Sequence, residues 1–229
     1  MSIPLPRYII RLTDVALTAM RDHPEQLLLP IHRRAIYDGL DEVSASTAHR
    51  VKVWVGILTV RRVLPYWRPI GYAEEDEYSR IPKRMLEIAE GVLNGTIEKR
   101  NLEKKIQLWI EMSSTTGELP ESPYYNNWCI FDAGLSVARL VVEPDFWQRV
   151  KIDYNTTDND LHHQDGDAAR WASITYAGGV WSPVVKDNRQ DDESYGIWVR
   201  NTPDVLARRR EFWEWWLLKV MSEAWQQGQ

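Results

Sequence analysis

The sequence predicts an all-α fold, a single compact domain of about seven or eight helices, and three observations predict it. Apolar residues recur at intervals of three and four through most of the 229 residues, the signature of helices with one buried face. Pro, Gly and Asn stand at the ends of these periodic runs and seldom inside them. The last run, residues 202–225, is apolar on several sides and has neither Gly nor Pro between Pro203 and Gly228. No repeat of fixed period appears, so a bundle is expected and not a solenoid. No linker divides the chain, so 1–229 is expected to be one domain.

Residues 6–21 place Ile9, Ile10, Leu12, Thr13, Leu17 and Met20 in helical rhythm and stop before Pro24. Residues 33–43 gather Ala35, Ile36, Leu40 and Val43 on one side, with Tyr37 nearby. Ser44, Ser46 or Thr47 suits the N-cap of the next helix. That helix carries Ala48, Val51, Val55 and Leu58 at a period near 3.6; its β-branched content makes a strand the competing reading, but the run is too long for one. Pro65 and Pro69 end it. Residues 71–79 are acidic and expected at the surface. Pro82 opens a helix that turns Met85, Leu86, Ile88, Ala89, Val92 and Leu93 inward and stops at Asn94-Gly95. With Thr96 as its expected cap, the next helix runs over 99–112 with Leu102, Ile106, Trp109 and Ile110 on one face and Lys99, Arg100, Lys104 and Lys105 on the solvated one.

Residues 113–123 read as a loop. Residues 124–142 form a strongly apolar helix with Trp128, Phe131, Leu135, Ala138 and Val142 in register, and Ala133 and Gly134 let a neighbour approach closely. Residues 153–167 are polar, 167–177 return to helical spacing, and Gly178-Gly179 ends that run. Residues 180–185 and 195–199 flank an Asx-rich turn and predict a small β-hairpin within 180–199. In the terminal helix Thr202 is the cap, Pro203 the first residue and Asp204 the dipole partner. Phe212, Trp216 and Val220 make one stripe there, Trp213, Leu217 and Met221 a second, and Trp215, Leu218 and Trp225 a third. A helix apolar on all sides is expected to be buried all round.

Totals narrow the function classes. A net charge of −5 argues against nucleic-acid and membrane-surface roles, which favour basic excess. The apolar runs are too short to span a membrane, and the start lacks the basic, apolar and small-residue pattern of a secretory signal, so a cytoplasmic protein is expected. The one cysteine, Cys129, cannot form an intramolecular disulfide and is expected to be a buried small residue. Twelve Trp against three Phe make large aromatics the main core filler.

The sequence offers candidates for three chemistries. Asp158, Asp160, His162, His163, Asp165 and Asp167 could bind a divalent metal, but His162-His163 stands where a calcium loop needs Asx-Gly and no His-Glu-x-x-His occurs. The simpler reading is an acidic loop with Asp165 or Asp167 capping the helix behind it. Glu211 and Glu214 could work as an acid–base pair, but Arg208, three residues before Glu211, and Arg210, four before Glu214, make structural ion pairs the favoured reading. No Gly-x-Ser-x-Gly, Walker or Rossmann pattern supports nucleophilic or nucleotide chemistry.

Three stretches carry a family resemblance. They are Asp167-Ala-Ala-Arg-Trp-Ala-Ser-Ile-Thr-Tyr-Ala-Gly-Gly followed by Trp181; Arg209-Arg-Glu-Phe-Trp-Glu-Trp-Trp-Leu-Leu-Lys-Val with Ala224-Trp225; and the early Arg33-Arg-Ala-Ile-Tyr-Asp-Gly-Leu. Together they resemble the all-α immunity proteins of bacterial polymorphic toxin systems, in particular the fifth numbered family. The resemblance implies a non-catalytic cytoplasmic antidote that binds a cognate toxin protein and needs no cofactor or metal. On that reading the acidic segments supply the contact surface, through Asp158, Asp160, Asp165, Asp167, Asp191, Asp192 and Glu193 and any exposed Trp, since acidic patches steer and dock basic partners. The alternative is an all-α hydrolase with a metal or carboxylate site built from Asp158, Asp160, His162 and Asp165.

Overall fold

A computed structural model describes residues 3–68, 77–116, 124–158, 160–161, 166–178, 182–183, 195–196 and 201–229. Its helices are α1 Arg7–Asp22, α2 Pro30–Leu40, α3 Ala45–Val63, α4 Ile81–Leu93, α5 Lys99–Thr116, α6 Tyr124–Val142, α7 Ala168–Ala177, α8 Pro203–Trp215 and α9 Met221–Gly228. A π-helical turn, Trp216–Val220, joins α8 to α9. The fold is all-α. Ser182–Pro183 and Tyr195–Gly196 pair antiparallel, inside the 180–199 hairpin expected from sequence; the rest of that stretch lies outside the described residues.

Local chemistry sets the helix ends. Ser44 caps α3 by accepting from the Thr47 amide, and Thr202 caps α8 by accepting from Val205. Pro30, Pro82 and Pro203 stand in first turns, where an absent N–H costs nothing. Gly95 and Gly178 adopt positive φ just past α4 and α7, the left-handed closure that glycine allows. Thr96 has a different task from the expected one. Its amide and its hydroxyl both donate to the Gly91 carbonyl, closing α4 rather than opening α5.

The centre of the bundle is the pair α3 and α6, not the terminal helix. α6 packs on α3, α4, α5 and α7, and α3 also meets α2, α7 and α9. Glycine makes two of these approaches close. A Cβ on Gly56 would stand 2.8 Å from Val137 Cγ2, and one on Gly134 the same distance from Met85 Sδ, so Gly134 does what its place in the sequence suggested. One hydrophobic cluster runs from Ile9 to Trp225. Cys129 is buried in it, as expected. Ser79, in the stretch expected at the surface, is buried and its carbonyl accepts from the Trp67 indole.

The terminal helix corrects the expectation of burial on all sides. Its buried apolar side chains are Phe212, Trp213, Trp216, Leu217, Val220, Met221, Ala224 and Trp225, while Leu218 is 52% exposed and Trp215 half-buried. These buried pairs repeat every four residues. An α-helix turns about 100° per residue, so such a stripe drifts by about 40° per repeat and about 120° over three. The π turn takes in the excess residue and keeps the stripe on one side. Trp216 Nε1 then donates to Thr59 Oγ1 at 3.0 Å, and Thr59 donates to the Val55 carbonyl, a buried link to α3.

Candidate functional site: an acidic segment held by one arginine

The acidic segment 158–167 is built around a cation that sequence reasoning did not place in it. Arg33 lies one turn into α2 and is 0% exposed. Its position was legible in the spacing: Arg33, Ile36, Tyr37 and Leu40 fall at i, i+3, i+4 and i+7, all are buried, and a buried guanidinium requires carboxylate partners. It has two. Arg33 Nη2 donates to Asp158 Oδ1 at 2.6 Å and Nε to Asp167 Oδ2 at 2.9 Å, while Nη1 reaches the Leu28 carbonyl and Asp158 Oδ2. The Trp147 and Trp213 rings lie within 5.8 Å and 5.5 Å of the guanidinium carbon, cation–π distances in a dry setting. Burial alone pushes the Arg33 pKa down, but Asp158 and Asp167 outweigh it and hold the group above its ordinary value. Tyr37, buried beside them, is raised by burial and by the Asp167 charge.

One guanidinium therefore fixes both ends of the segment. Asp167 also caps α7, its Oδ1 accepting from the Arg170 amide at 2.8 Å; this is the capping role that the simpler sequence reading gave it. Between the anchors Leu161 is buried and its carbonyl accepts from Arg170 Nη1. Ser136 donates to the Gly166 carbonyl, and Trp171 packs so near Gly166 that a Cβ there would meet the indole at 2.9 Å. Arg34, next along α2, donates to the carbonyls of Trp147, Gln148 and Val150 and holds the turn beside the segment.

The seven acidic residues expected at a partner surface thus fall into three groups. Asp158 is partly buried and Asp167 6% exposed, and both are engaged by Arg33. Asp160 is exposed, and its Oδ2 accepts from the hydroxyl and the amide of Thr157 at 2.7 Å each. These bonds hold its carboxyl below the ordinary range, so it stays ionised. Asp165, Asp191, Asp192 and Glu193 lie outside the described residues, as do His162 and His163.

Asp158 and Asp160, half of the alternative hydrolase set, spend their carboxylates on Arg33 and Thr157. Among the described residues no three His, Cys, Asp or Glu are gathered as metal ligands. Glu214 pairs with Arg210 as expected, and also with Arg21 of α1. Glu211 does not take Arg208. It pairs with Arg62 of α3 and accepts from the hydroxyl of Tyr176 on α7, the helix on which α8 packs. Lys99, Arg100 and Lys104 are exposed, and Lys105 half so. No Trp among the described residues is fully exposed; Trp67, Trp128 and Trp215 are half-buried. No helix among the described residues is long and apolar enough to cross a membrane.

No curated protein matches the chain. The family described as Immunity protein Imm5 matches residues 15–223, a span that takes in Arg33, the acidic segment, α7 and nearly all of the terminal aromatic helix. The chain belongs to the Imm5 immunity protein family.

Proposed function

We propose that the protein is the non-catalytic, cytoplasmic antidote of a polymorphic toxin system, a single helical domain that binds one cognate toxin protein and occludes its active site. The observation that carries this reading is the family match over residues 15–223. The contact surface is assigned to two acidic segments, 158–167 and 191–193. We assign its partner contacts to Asp160, Asp165, Asp191, Asp192 and Glu193, with Asp158 and Asp167 as the anchors on Arg33 that hold the first segment. The geometry of the first segment supports the assignment. Arg33 fixes its two ends, and the Asp160 carboxylate between them is solvent-exposed and ionised. A pre-ordered acidic surface costs less conformational entropy on binding than a free loop and speeds encounter with a basic partner.

The test is co-expression with the product of the adjacent upstream gene, scored by growth and co-purification. The expected result is a neighbour that is toxic alone, growth restored by this protein, and a complex that survives purification. A harmless neighbour and no complex would overturn the reading. Asp160→Lys, and separately Asp191→Lys with Asp192→Lys and Glu193→Lys, are each expected to slow association by about tenfold and weaken its salt dependence. Unchanged association in both would remove the surface from this face while leaving the antidote role standing.

A further inference from the structure

The most exposed large apolar side chain among the described residues is a tyrosine just ahead of the acidic segment, not a tryptophan. Tyr154 is 83% exposed, against 60% for Val15, the next in order. Its backbone is nevertheless ordered. Tyr154 lies in a turn closed by the Thr156 amide, which donates to the Asp153 carbonyl at 3.2 Å. Asp153 Oδ1 accepts from the Asn155 amide at 2.8 Å and the Thr156 hydroxyl at 3.0 Å, and Thr156 Oγ1 accepts from the Asp153 amide at 2.9 Å. The next turn is closed by the Asp160 amide on the Thr157 carbonyl, and Asp158 within it is tied to Arg33. On a fixed backbone a tyrosine has only two χ angles to lose when it is covered, so it supplies contact area at low entropic cost.

The charge around the ring selects what can cover it. Asp153 and Asp160 are both exposed. The Asn155 amide and then the Thr156 hydroxyl hold the Asp153 carboxyl below its ordinary range, and the Asp160 charge lies near enough to oppose them. Both side chains are therefore ionised at neutral pH, and they are neighbours. The nearest cations in sequence do not pair with them. Arg149 is taken by Glu143 and Asp145, and Lys151 forms no ion pair among the described residues. The face of an aromatic ring attracts cations through its quadrupole, and flanking carboxylates act in the same direction.

We infer that Tyr154 is an anchor of the partner contact and receives a lysine or arginine side chain of the partner protein, with Asp153 and Asp160 beside it. The inference rests on the antidote reading and extends its surface by residues that precede 158–167.

The experiment measures association and dissociation of the intact protein and the product of the adjacent upstream gene, for the parent and for Tyr154→Ala, Tyr154→Leu and Tyr154→Phe. Tyr154→Ala is expected to speed dissociation at least about thirtyfold, as loss of an anchoring aromatic does, with the parent's thermal midpoint because the ring is exposed. Tyr154→Phe keeps the ring face and should stay within about threefold of the parent. Tyr154→Leu keeps apolar bulk without a ring and should dissociate as the alanine variant does. Should alanine unsettle the turn, the contrast between phenylalanine and leucine decides by itself. Parent-like dissociation of Tyr154→Ala would overturn the anchor and leave the antidote reading standing. Parent-like dissociation of Tyr154→Leu alone would overturn the cationic occupant. A parent that forms no complex would overturn both the anchor and the antidote reading.

Discussion

Arg33 and Asp167 meet across 134 positions of sequence, and the same carboxylate that neutralises the buried guanidinium also caps α7. The core charge and the helix start are therefore one structural unit, with Asp158 as its third member. Removing the cation alone leaves the buried Asp167 and partly buried Asp158 carboxylates without the charge that offsets their desolvation. Arg33→Met is expected to cost about 3–5 kcal/mol. Asp158→Asn and Asp167→Asn added to Arg33→Met should cost less than Arg33→Met alone, because asparagine still caps a helix and no charge is left stranded. Urea denaturation of the single and triple variants measures this. A triple variant less stable than Arg33→Met would show that the cluster is not organised by charge.

The π turn makes a second prediction. The buried pairs of the terminal helix repeat every four residues and Leu218 points outward in the middle of the turn. Leu218 is thus the extra residue that the turn accommodates. Deleting it should convert Trp216–Val220 to α-helix and leave both flanks in register, at a cost of about 1 kcal/mol. Deleting the exposed Arg210 inside α8 should rotate the preceding residues by about 100° and abolish cooperative folding. Thermal denaturation of the two deletions separates them, and equal damage from both would refute the accommodating role of Leu218.

Much of this architecture is legible in the sequence because its signals are local. Pro203 after Thr202 starts α8, Gly178 stops α7, and the 3.6 period of Ala48, Val51, Val55 and Leu58 outweighs their β-branched neighbours. Asp167 reads as a cap for the same reason. What the sequence conceals depends on distant partners or on helix phase. Glu211 has Arg208 at a suitable interval, yet its partners are Arg62 and Tyr176 on other helices. Leu218 belongs to an apolar stretch, and only the π turn decides that it faces water. The acidic segment looks like a solvated loop until Arg33, more than a hundred residues earlier, is seen to hold both ends. The spacing of Arg33 with Ile36, Tyr37 and Leu40 marks it as buried, but no rule of spacing names the carboxylates that must meet it.

The protein should lose stability in mildly acidic solution through its half-buried histidines. His49 Nε2 lies 3.0 Å from the Leu140 carbonyl. Burial holds its pKa below the ordinary value of 6.5, the Leu140 carbonyl works against that, and Lys99, Lys52 and Arg50 add to the lowering. His32 is lowered too, by burial and then by Arg33. In the unfolded chain both titrate near 6.5, so below that pH the unfolded state takes up protons that the folded state does not. The stabilising contribution is complete above about pH 6.5 and falls as the pH drops through the folded values. The carboxyl group of Asp160, whose pKa is also lowered, titrates well below this window and does not contribute to it. His49→Gln, whose amide can still donate to Leu140, should flatten part of the slope between pH 7.5 and 5.5, and His49→Gln with His32→Gln most of it. Urea midpoints at three pH values across that interval provide the measurement. An undiminished slope in the double variant would assign the acid sensitivity to other groups.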